Sequence, residues 1–145
     1  MWLKRIFQSI LVACLVMGSA TIFASNNNKT DQKNTVYTED KQNITVDRAH
    51  PEFTIKLKSN PTTGYAWFLR EYDANLISPV KHSFQKPEQN LMGAPGYEIW
   101  TFRVKPQGFL VPQQTTIRMI YARPWQGADS STQLVFRVTT QGKTE

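Results

Sequence analysis

Residues 52–58 of this chain read Glu52-Phe53-Thr54-Ile55-Lys56-Leu57-Lys58, an unbroken alternation of polar and apolar side chains. Successive side chains of a β-strand point to opposite faces of the sheet, so Phe53, Ile55 and Leu57 would share one face. The polar residues between them would face the solvent. The stretch therefore predicts a strand that is buried on one side.

The same period returns in three later segments, which clusters of Pro, Gly, Asn and Gln separate from one another. Their apolar members are Trp100, Phe102 and Val104, then Ile117, Met119 and Tyr121, and finally Leu134, Phe136 and Val138. Several strands with turn residues between them are typical of an all-β sandwich, and the spacing predicts about seven strands.

The composition is that of one globular domain. Of the 145 residues, 40% are hydrophobic and 12% aromatic, which is typical of a folded chain. Once an N-terminal targeting segment is set aside, about 100–110 residues remain, enough to bury a working core. We place this domain at residues 43–140, with a C-terminal tail at 141–145. Residues 25–42 are rich in Asn, Gln, Lys, Asp and Thr and are predicted to form a flexible polar leader.

The N-terminus has the pattern of a secretory signal. Lys4 and Arg5 form a short positive region, residues 6–17 are mostly apolar, and small residues follow as far as Ala24. The apolar run is too short for a good membrane span. We therefore predict a signal peptide at residues 1–24, with cleavage after Ala20 as the alternative, export to a periplasm or secretion, and no stable membrane insertion after cleavage.

Cys14 is the only cysteine in the chain. The stretch Leu11-Val12-Ala13-Cys14 resembles a bacterial lipobox, in which the cysteine would carry a lipid anchor. The apolar run continues past it to Phe23, which favours ordinary cleavage and leaves the lipoprotein as the alternative. After ordinary cleavage the mature domain has no cysteine, which excludes disulfides, thiol catalysis and thiolate metal sites.

The net charge is modestly positive. The 17 basic and 11 acidic residues give +6, and removal of Lys4 and Arg5 with the signal leaves 15 against 11, or +4. The basic residues are scattered, which favours solvated strand faces over a nucleic-acid partner. A mild positive charge can still help to steer the protein onto an acidic partner.

Three segments between the alternating stretches carry residues that suit a binding surface better than a core. They are Asn60-Pro61-Thr62-Thr63-Gly64-Tyr65, Gly93-Ala94-Pro95-Gly96 and Arg123-Pro124-Trp125. Proline fixes one backbone dihedral and glycine permits a positive one, so such loops have a shape of their own. Small uncharged threonines at a loop tip suit insertion into a narrow cleft, and Arg and Trp are enriched among residues that dominate interface energies.

No motif in the chain supports an enzyme. There is no Gly-x-Ser-x-Gly sequence, and His50 and His82 fit no recognised catalytic arrangement and have no metal-ligand spacing. Asp47 and Glu52 lie in an alternating region, where solvated side chains are the simpler interpretation. We therefore expect no catalytic residues, no metal and no cofactor.

In this order, the three segments resemble the loops of the chagasin-type inhibitors of cysteine peptidases, the ICP family (peptidase inhibitor family I42). The family shows an Asn-Pro-Thr-Thr-Gly-Tyr loop, a Gly-rich loop and an Arg-Pro-Trp loop. The first matches residues 60–65 completely and the third matches residues 123–125. The match at residues 93–96 is loose, because two other residues stand between the glycines. The resemblance covers residues 43–138.

The resemblance implies a fold and a mechanism. It implies an immunoglobulin-like β-sandwich with binding loops at one end, which reversibly inhibits papain-like cysteine peptidases of its own cell or of a foreign one. Thr62, Thr63 and Gly64 would lie across the catalytic cysteine and histidine of the peptidase, and the other two loops would grip the cleft on either side. The inhibitor would act as a monomer that occludes the cleft without a covalent bond.

A secreted carbohydrate-binding or adhesion module is the alternative, because β-sandwiches host many functions. The aromatic side chains of Tyr65, Tyr97 and Trp125 could stack on sugar rings. A sugar platform would place such residues along one strand face, whereas the distinctive residues of this chain are concentrated in turns. The arrangement of these side chains in space therefore discriminates between the two functions.

Overall fold

A computed structural model describes residues 35–88, 93–126 and 131–142 of the chain. The predicted signal peptide with Cys14 lies outside these residues, as do residues 143–145 of the predicted tail. The strands are β1 (Val36–Tyr37), β2 (Asn43–Val46), β3 (Glu52–Ser59), β4 (Ala66–Tyr72), β5 (Ile77–Gln85), β6 (Gly96–Val104), β7 (Gln114–Ala122) and β8 (Thr132–Thr140), and two short 3₁₀ turns span Pro61–Thr63 and Pro106–Phe109. No helix in this described part of the chain is long and apolar enough to cross a membrane.

The strands form two four-stranded sheets that share a core. The first sheet has the order β1-β3-β6-β5, and the second has the order β2-β8-β7-β4. Neighbouring strands pair antiparallel except at one edge of each sheet, where β1 runs parallel to β3 and β2 runs parallel to β8. The prediction of an all-β sandwich is confirmed, with eight strands among the described residues rather than about seven.

The alternating residues form the core as predicted. Phe53, Ile55 and Leu57 of β3 are at most 1% exposed. Trp100 and Tyr121, which were predicted on the same faces, are partly buried and pack against the core cluster. The cluster consists of Tyr37, Ile44, Val46, Phe53, Ile55, Leu57, Trp67, Ile77, Phe102, Val104, Phe109, Ile117, Met119, Phe136 and Val138. Full burial of such a side chain contributes about 1.5–3 kcal/mol relative to exposure, so this cluster is the main source of stability.

The prediction of a flexible leader is wrong at its C-terminal end. Residues 25–42 were predicted to form a flexible polar leader, yet Tyr37 in β1 is only 4% exposed. Its ring packs edge-on against Phe53, with the ring centroids 6.3 Å apart. A two-residue strand has no periodicity that a sequence can show, and its burial depends on pairing with β3. The folded domain therefore begins before residue 43.

The edge strands β5 and β4, at the far side of each sheet from β1 and β2, are irregular. In β5, the pairing with β6 shifts register between Pro79 and Lys81. In β4, the pairing with β7 shifts register between Leu69 and Glu71. Such bulges bend a strand and increase its twist, so neither outer edge is a flat continuous ladder.

Candidate functional site: three loops at one end of the sandwich

The antiparallel pairing brings the three predicted segments to the same end of the sandwich. Ser59 at the end of β3 pairs with Gly96 at the start of β6, and Ala66 at the start of β4 pairs with Ala122 at the end of β7. The connections that leave these strand ends are loop 1 (residues 60–65), loop 2 (residues 86–95) and loop 3 (residues 123–131). Residues 89–92 of loop 2 and 127–130 of loop 3 lie outside the described part of the chain.

Loop 1 is a single 3₁₀ turn that its own residues hold in shape. The amide of Thr63 donates to the carbonyl of Asn60 at 3.1 Å, and the amide of Gly64 donates to the carbonyl of Pro61 at 3.0 Å. Gly64 ends the turn with φ +79°, in the left-handed region that favours glycine. The hydroxyls of Thr62 and Thr63 donate to the side-chain oxygen and the carbonyl of Asn60, each at 2.6 Å. The turn shape predicted from Pro61 and Gly64 is therefore present in the free protein.

Loop 3 braces loop 1 through Arg123. The Nε of Arg123 donates to the carbonyl of Thr63 at 3.0 Å, and its guanidinium carbon lies 4.5 Å from the ring centroid of Tyr65. Tyr65 in turn stacks on Tyr121, with the ring centroids 5.2 Å apart. Stacking and cation–π contacts of this kind contribute roughly 0.5–1.5 kcal/mol each. The two loops are thus joined by several contacts before a partner arrives.

Trp125 contacts loop 1 while most of its surface remains in solvent. A Cβ atom placed on Gly64 would lie only 2.8 Å from Cη2 of Trp125, which shows how closely the indole ring approaches the glycine. Trp125 is nevertheless 72% exposed. The ring is therefore not folded into the end of the sandwich, and a partner could reach it.

Loop 2 is tied to loop 1 on the other side. The side-chain amide of Asn60 donates to the carbonyl of Gly93 at 3.1 Å. Gly93 has φ +80°, a second position where the loop turns through the left-handed region. Gly93 and Pro95 are exposed and Ala94 is half-buried. Asn60 therefore connects the first two loops, as Arg123 connects the first and the third.

Gly96 differs from its three neighbours in the predicted segment. It is the first residue of β6 and is buried, so it belongs to the sheet and not to the exposed loop. A Cβ atom at this position would collide with the backbone oxygen of Gln85 and with the ring of Phe84. The glycine is needed at this position because neighbouring atoms approach the backbone closely.

None of the exposed side chains among the predicted site residues is charged, and the one charged residue of the set, Arg123, is half-buried. The exposed members are Pro61, Thr62, Thr63, Gly93, Pro95, Pro124 and Trp125. The half-buried members are Asn60, Gly64, Tyr65, Ala94 and Arg123. Most of the half-buried residues hold the loops together, and the exposed ones form a surface that a partner can contact.

Two of the three aromatic residues that could form a sugar platform, Tyr65 and Tyr97, already have contacts on their rings. The ring of Tyr65 contacts both Tyr121 and Arg123, and the Nζ of Lys56 lies 4.3 Å from the ring centroid of Tyr97. Faces already occupied in this way are poorly suited to stack on a sugar. The arrangement therefore favours a loop-based interface over a carbohydrate platform.

A buried carboxylate that belongs to none of the three sequence motifs lies beneath loop 1. Glu98 on β6 is 4% exposed. Its Oε1 accepts hydrogen bonds from the hydroxyl of Ser59 at 2.6 Å and from the backbone amide of Trp67 at 3.0 Å. Its Oε2 lies 3.0 Å from Nε2 of His82. The sequence carries one signal for its burial. Glu98 precedes the inward-facing Trp100 by two residues, and residues two apart in a strand point to the same face of the sheet.

The opposite end of the sandwich has an exposed pair of contacting residues, Asp47 and His50. The pKa of the Asp47 carboxyl is lowered, mainly because the backbone amide of His50 donates a hydrogen bond to it at 2.7 Å. Both residues lie in the connection between β2 and β3, away from the three loops. Among the residues that the structure describes, no group of three or more His, Cys, Asp or Glu side chains is placed to hold a metal ion.

The fold and this end define a class of protein, a β-sandwich that carries three exposed loops at one end, with loop 1 bonded to each of the other two. Comparison with known proteins then gives the family. The chain belongs to the Chagasin family peptidase inhibitor I42, which it matches over residues 48–140, more than half of its length. This family consists of protease inhibitors and not of enzymes, which agrees with the prediction that the chain is not an enzyme.

Two relatives are similar in sequence. Chagasin of Trypanosoma cruzi is 34% identical over 77 residues, which cover 50% of this chain and 66% of chagasin. Amoebiasin-2 of Entamoeba histolytica is 37% identical over 73 residues, which cover 50% of this chain and 55% of that protein. The chain thus spans slightly less than two thirds of chagasin and about half of Amoebiasin-2.

Solved structures agree with the fold. The cysteine protease inhibitor EhICP2 from Entamoeba histolytica matches with a TM-score of 0.57 at 21% identity, over 74% of this chain and 94% of that chain. PbICP-C, solved in complex with falcipain-2, matches with a TM-score of 0.55 at 17% identity, over 74% of this chain and 91% of that chain. The predicted immunoglobulin-like sandwich is therefore confirmed as the fold.

Proposed function

We propose that this protein is a reversible inhibitor of papain-like cysteine peptidases, and that loops 1, 2 and 3 block the active-site cleft. The observation that supports this most is the bracing of three exposed loops into one surface in the free protein, through Asn60 and Arg123. Membership of a peptidase inhibitor family supports the inhibitor class. EhICP2 is a cysteine protease inhibitor and PbICP-C binds falcipain-2, which supports a cysteine peptidase as the partner.

Loop 1 has the chemistry of a segment that enters a narrow cleft. Its exposed tip, Thr62 and Thr63, is uncharged, so burial against a peptidase leaves no unpaired charge. Both hydroxyls already donate to Asn60, which reduces the desolvation cost of their burial. Thr62, Thr63 and Gly64 would lie over the catalytic cysteine and histidine and keep substrates away.

The same loop is built to resist cleavage. Attack on a peptide bond requires the reacting atoms about 3–3.5 Å apart and aligned. The carbonyl of Thr63 sits at the end of a 3₁₀ turn and accepts a hydrogen bond from Arg123, so its orientation is fixed by the inhibitor itself. Occlusion without a covalent bond follows from a loop that cannot relax into the geometry of a substrate.

Loops 2 and 3 would contact the walls of the cleft, with Trp125 as the main anchor. Preorganised side chains avoid an ordering cost of roughly 0.5–1.5 kcal/mol each on binding. Three loops are sufficient for an interface of standard size, about 800 Å² per partner. Gly96 is buried at the start of β6, so it would support this surface from within the sheet and would not contact the peptidase.

The setting of this activity is part of the proposal. The signal-like residues 1–24 support action after export, in a periplasm or outside the cell. We propose that the mature protein works there as a monomer, since one copy of the chain carries all three loops.

The test is a titration of residues 25–145 against papain with a fluorogenic substrate. Thr63→Asp places a charge at the tip of loop 1 and should abolish tight inhibition, because the charge would be buried in the cleft. Thr116→Asp, at an exposed position on β7, is the matched control and should inhibit like the unchanged protein. A folded, monomeric sample that fails to inhibit at micromolar concentration would reject the proposal and make a glycan-binding screen the next experiment.

A further inference from the structure

The two ends of loop 1 are fastened to the same carboxylate oxygen. Ser59 is the last residue of β3 in the first sheet, and Trp67 is the second residue of β4 in the other sheet. The hydroxyl of Ser59 and the backbone amide of Trp67 both donate to Oε1 of Glu98, at 2.6 and 3.0 Å. One acceptor on β6 therefore holds together the two strands that loop 1 connects.

Burial makes this arrangement more than a surface contact. The Glu98 side chain is 6% exposed and Ser59 is 1% exposed. Buried carboxylates require hydrogen-bonding partners, and hydrogen bonds to a charged acceptor are roughly twice as strong as neutral ones. Loss of the acceptor would leave two buried donors unsatisfied at the base of loop 1.

The far side of the carboxylate is held as well. Nε2 of His82 lies 3.0 Å from Oε2 of Glu98, and the His82 ring stacks on Trp100 with the ring centroids 3.9 Å apart. Trp100 packs against the core cluster. The orientation of the carboxylate is thereby linked to the core, and through Oε1 to both ends of the loop.

We infer that Glu98 is a positioning residue of the inhibitor. It sets the spacing between the ends of loop 1, and so the pose of Thr62 and Thr63, without itself reaching the peptidase. The inference rests on the proposed function. If the loop holds its binding-competent pose for only a fraction of the time, the apparent dissociation constant rises by the inverse of that fraction.

Two substitutions at position 98 separate the acceptor from the charge. Glu98→Ala removes the acceptor and should raise the inhibition constant at least tenfold, which corresponds to a competent population of about one tenth. Glu98→Gln keeps an amide oxygen in place of Oε1 and can direct its amino group to Nε2 of His82. It should therefore restore inhibition to within about threefold of the unchanged protein.

A control and a second readout distinguish positioning from general stability. Thr140 is 2% exposed at the opposite end, and its hydroxyl accepts from the amide of Gln113 at 3.0 Å. Thr140→Val should lower the free energy of unfolding and leave the inhibition constant unchanged. Amide NMR shifts of residues 62–64 need no peptidase, and they should change in Glu98→Ala but not in Glu98→Gln or Thr140→Val.

The results that would overturn the inference differ from those that would reject the proposed function. Unchanged loop shifts and inhibition in folded Glu98→Ala would overturn the inference, as would a Glu98→Gln protein that is as weak as Glu98→Ala. Should Glu98→Ala fail to fold, Ser59→Ala removes one of the two donors, and unchanged loop shifts in that variant would also overturn it. An unchanged protein that does not inhibit papain rejects the proposed function, whereas the NMR comparison still decides whether Glu98 positions loop 1.

Discussion

Two glycines at the loop end share a backbone conformation but have different surroundings. Gly64 has φ +79° and Gly93 has φ +80°. A Cβ atom on Gly64 would lie 2.8 and 3.0 Å from two ring atoms of Trp125, whereas nothing lies within 4 Å of a Cβ atom on Gly93. The variants Gly64→Ala and Gly93→Ala therefore separate backbone strain from displacement of the tryptophan.

The expected magnitudes follow from these contacts. Each alanine adopts a left-handed backbone, which should lower the free energy of unfolding by about 1–2 kcal/mol in both variants. In Gly64→Ala the indole must also move by at least 0.6 Å, from 2.8 Å to the 3.4 Å at which ordinary contact begins. Trp125 is 72% exposed and can move into solvent, so this shift should add little to the loss of stability. If Trp125 is a binding anchor, its displacement should weaken inhibition by about 2 kcal/mol, roughly thirtyfold.

The assay compares the two variants in the same pair of measurements. Urea denaturation gives the free energies of unfolding, and titration against papain gives the inhibition constants. We expect similar stabilities and a markedly weaker inhibition for Gly64→Ala than for Gly93→Ala. Equal inhibition constants in two folded variants would refute the idea that contact with Gly64 sets the pose of Trp125.

Three further predictions address the anchor, the brace and the far end of the sandwich. Trp125→Ala should weaken inhibition by on the order of 2 kcal/mol, and an unchanged inhibition constant in the folded variant would reject it as an anchor. Arg123→Met removes the hydrogen bond to Thr63 and should weaken inhibition about tenfold in the papain titration, whereas Arg118→Met, at an exposed position on β7, should not. The lowered pKa of Asp47 means that its ionised form stabilises the fold above the ordinary value of 3.8, and that this stabilisation is lost as the pH falls through the lower folded-state pKa. Asp47→Asn should therefore lower the free energy of unfolding at neutral pH but not in strong acid, as urea titrations at both pH values would show, and it should leave inhibition unchanged.

Much of the fold could be predicted because its signals are local. The alternation at Phe53, Ile55 and Leu57 is visible within seven residues, and all three side chains are buried. The shape of loop 1 was predictable for the same reason, since Pro61 and Gly64 act on the backbone at their own positions. Local rules were sufficient wherever the interacting residues are neighbours in the chain.

The contacts that join distant segments could not be predicted in this way. The hydrogen bond between Arg123 and Thr63 links residues 60 positions apart. The role of Glu98 depends on Ser59 and Trp67, which lie in different sheets. The alternation of β6 predicts that Glu98 points into the sandwich, which is unusual for an acidic residue. Only the three-dimensional structure shows which hydrogen-bond donors it contacts.

The two short N-terminal strands determine where this chain can be shortened without harm. β1 pairs with two residues of β3 and β2 pairs with four residues of β8, and both short strands precede residue 48, where the match to the family begins. A protein trimmed to residues 48–140 would expose the unpaired backbone groups of two long, apolar-rich strands, which are templates for pairing with other copies. The edge strands on the other side of the two sheets, β5 and β4, each carry a register shift, and β5 also contains Pro79. We therefore expect residues 35–47 to protect the sandwich from self-association, and a proteolytic cut within them to favour aggregation.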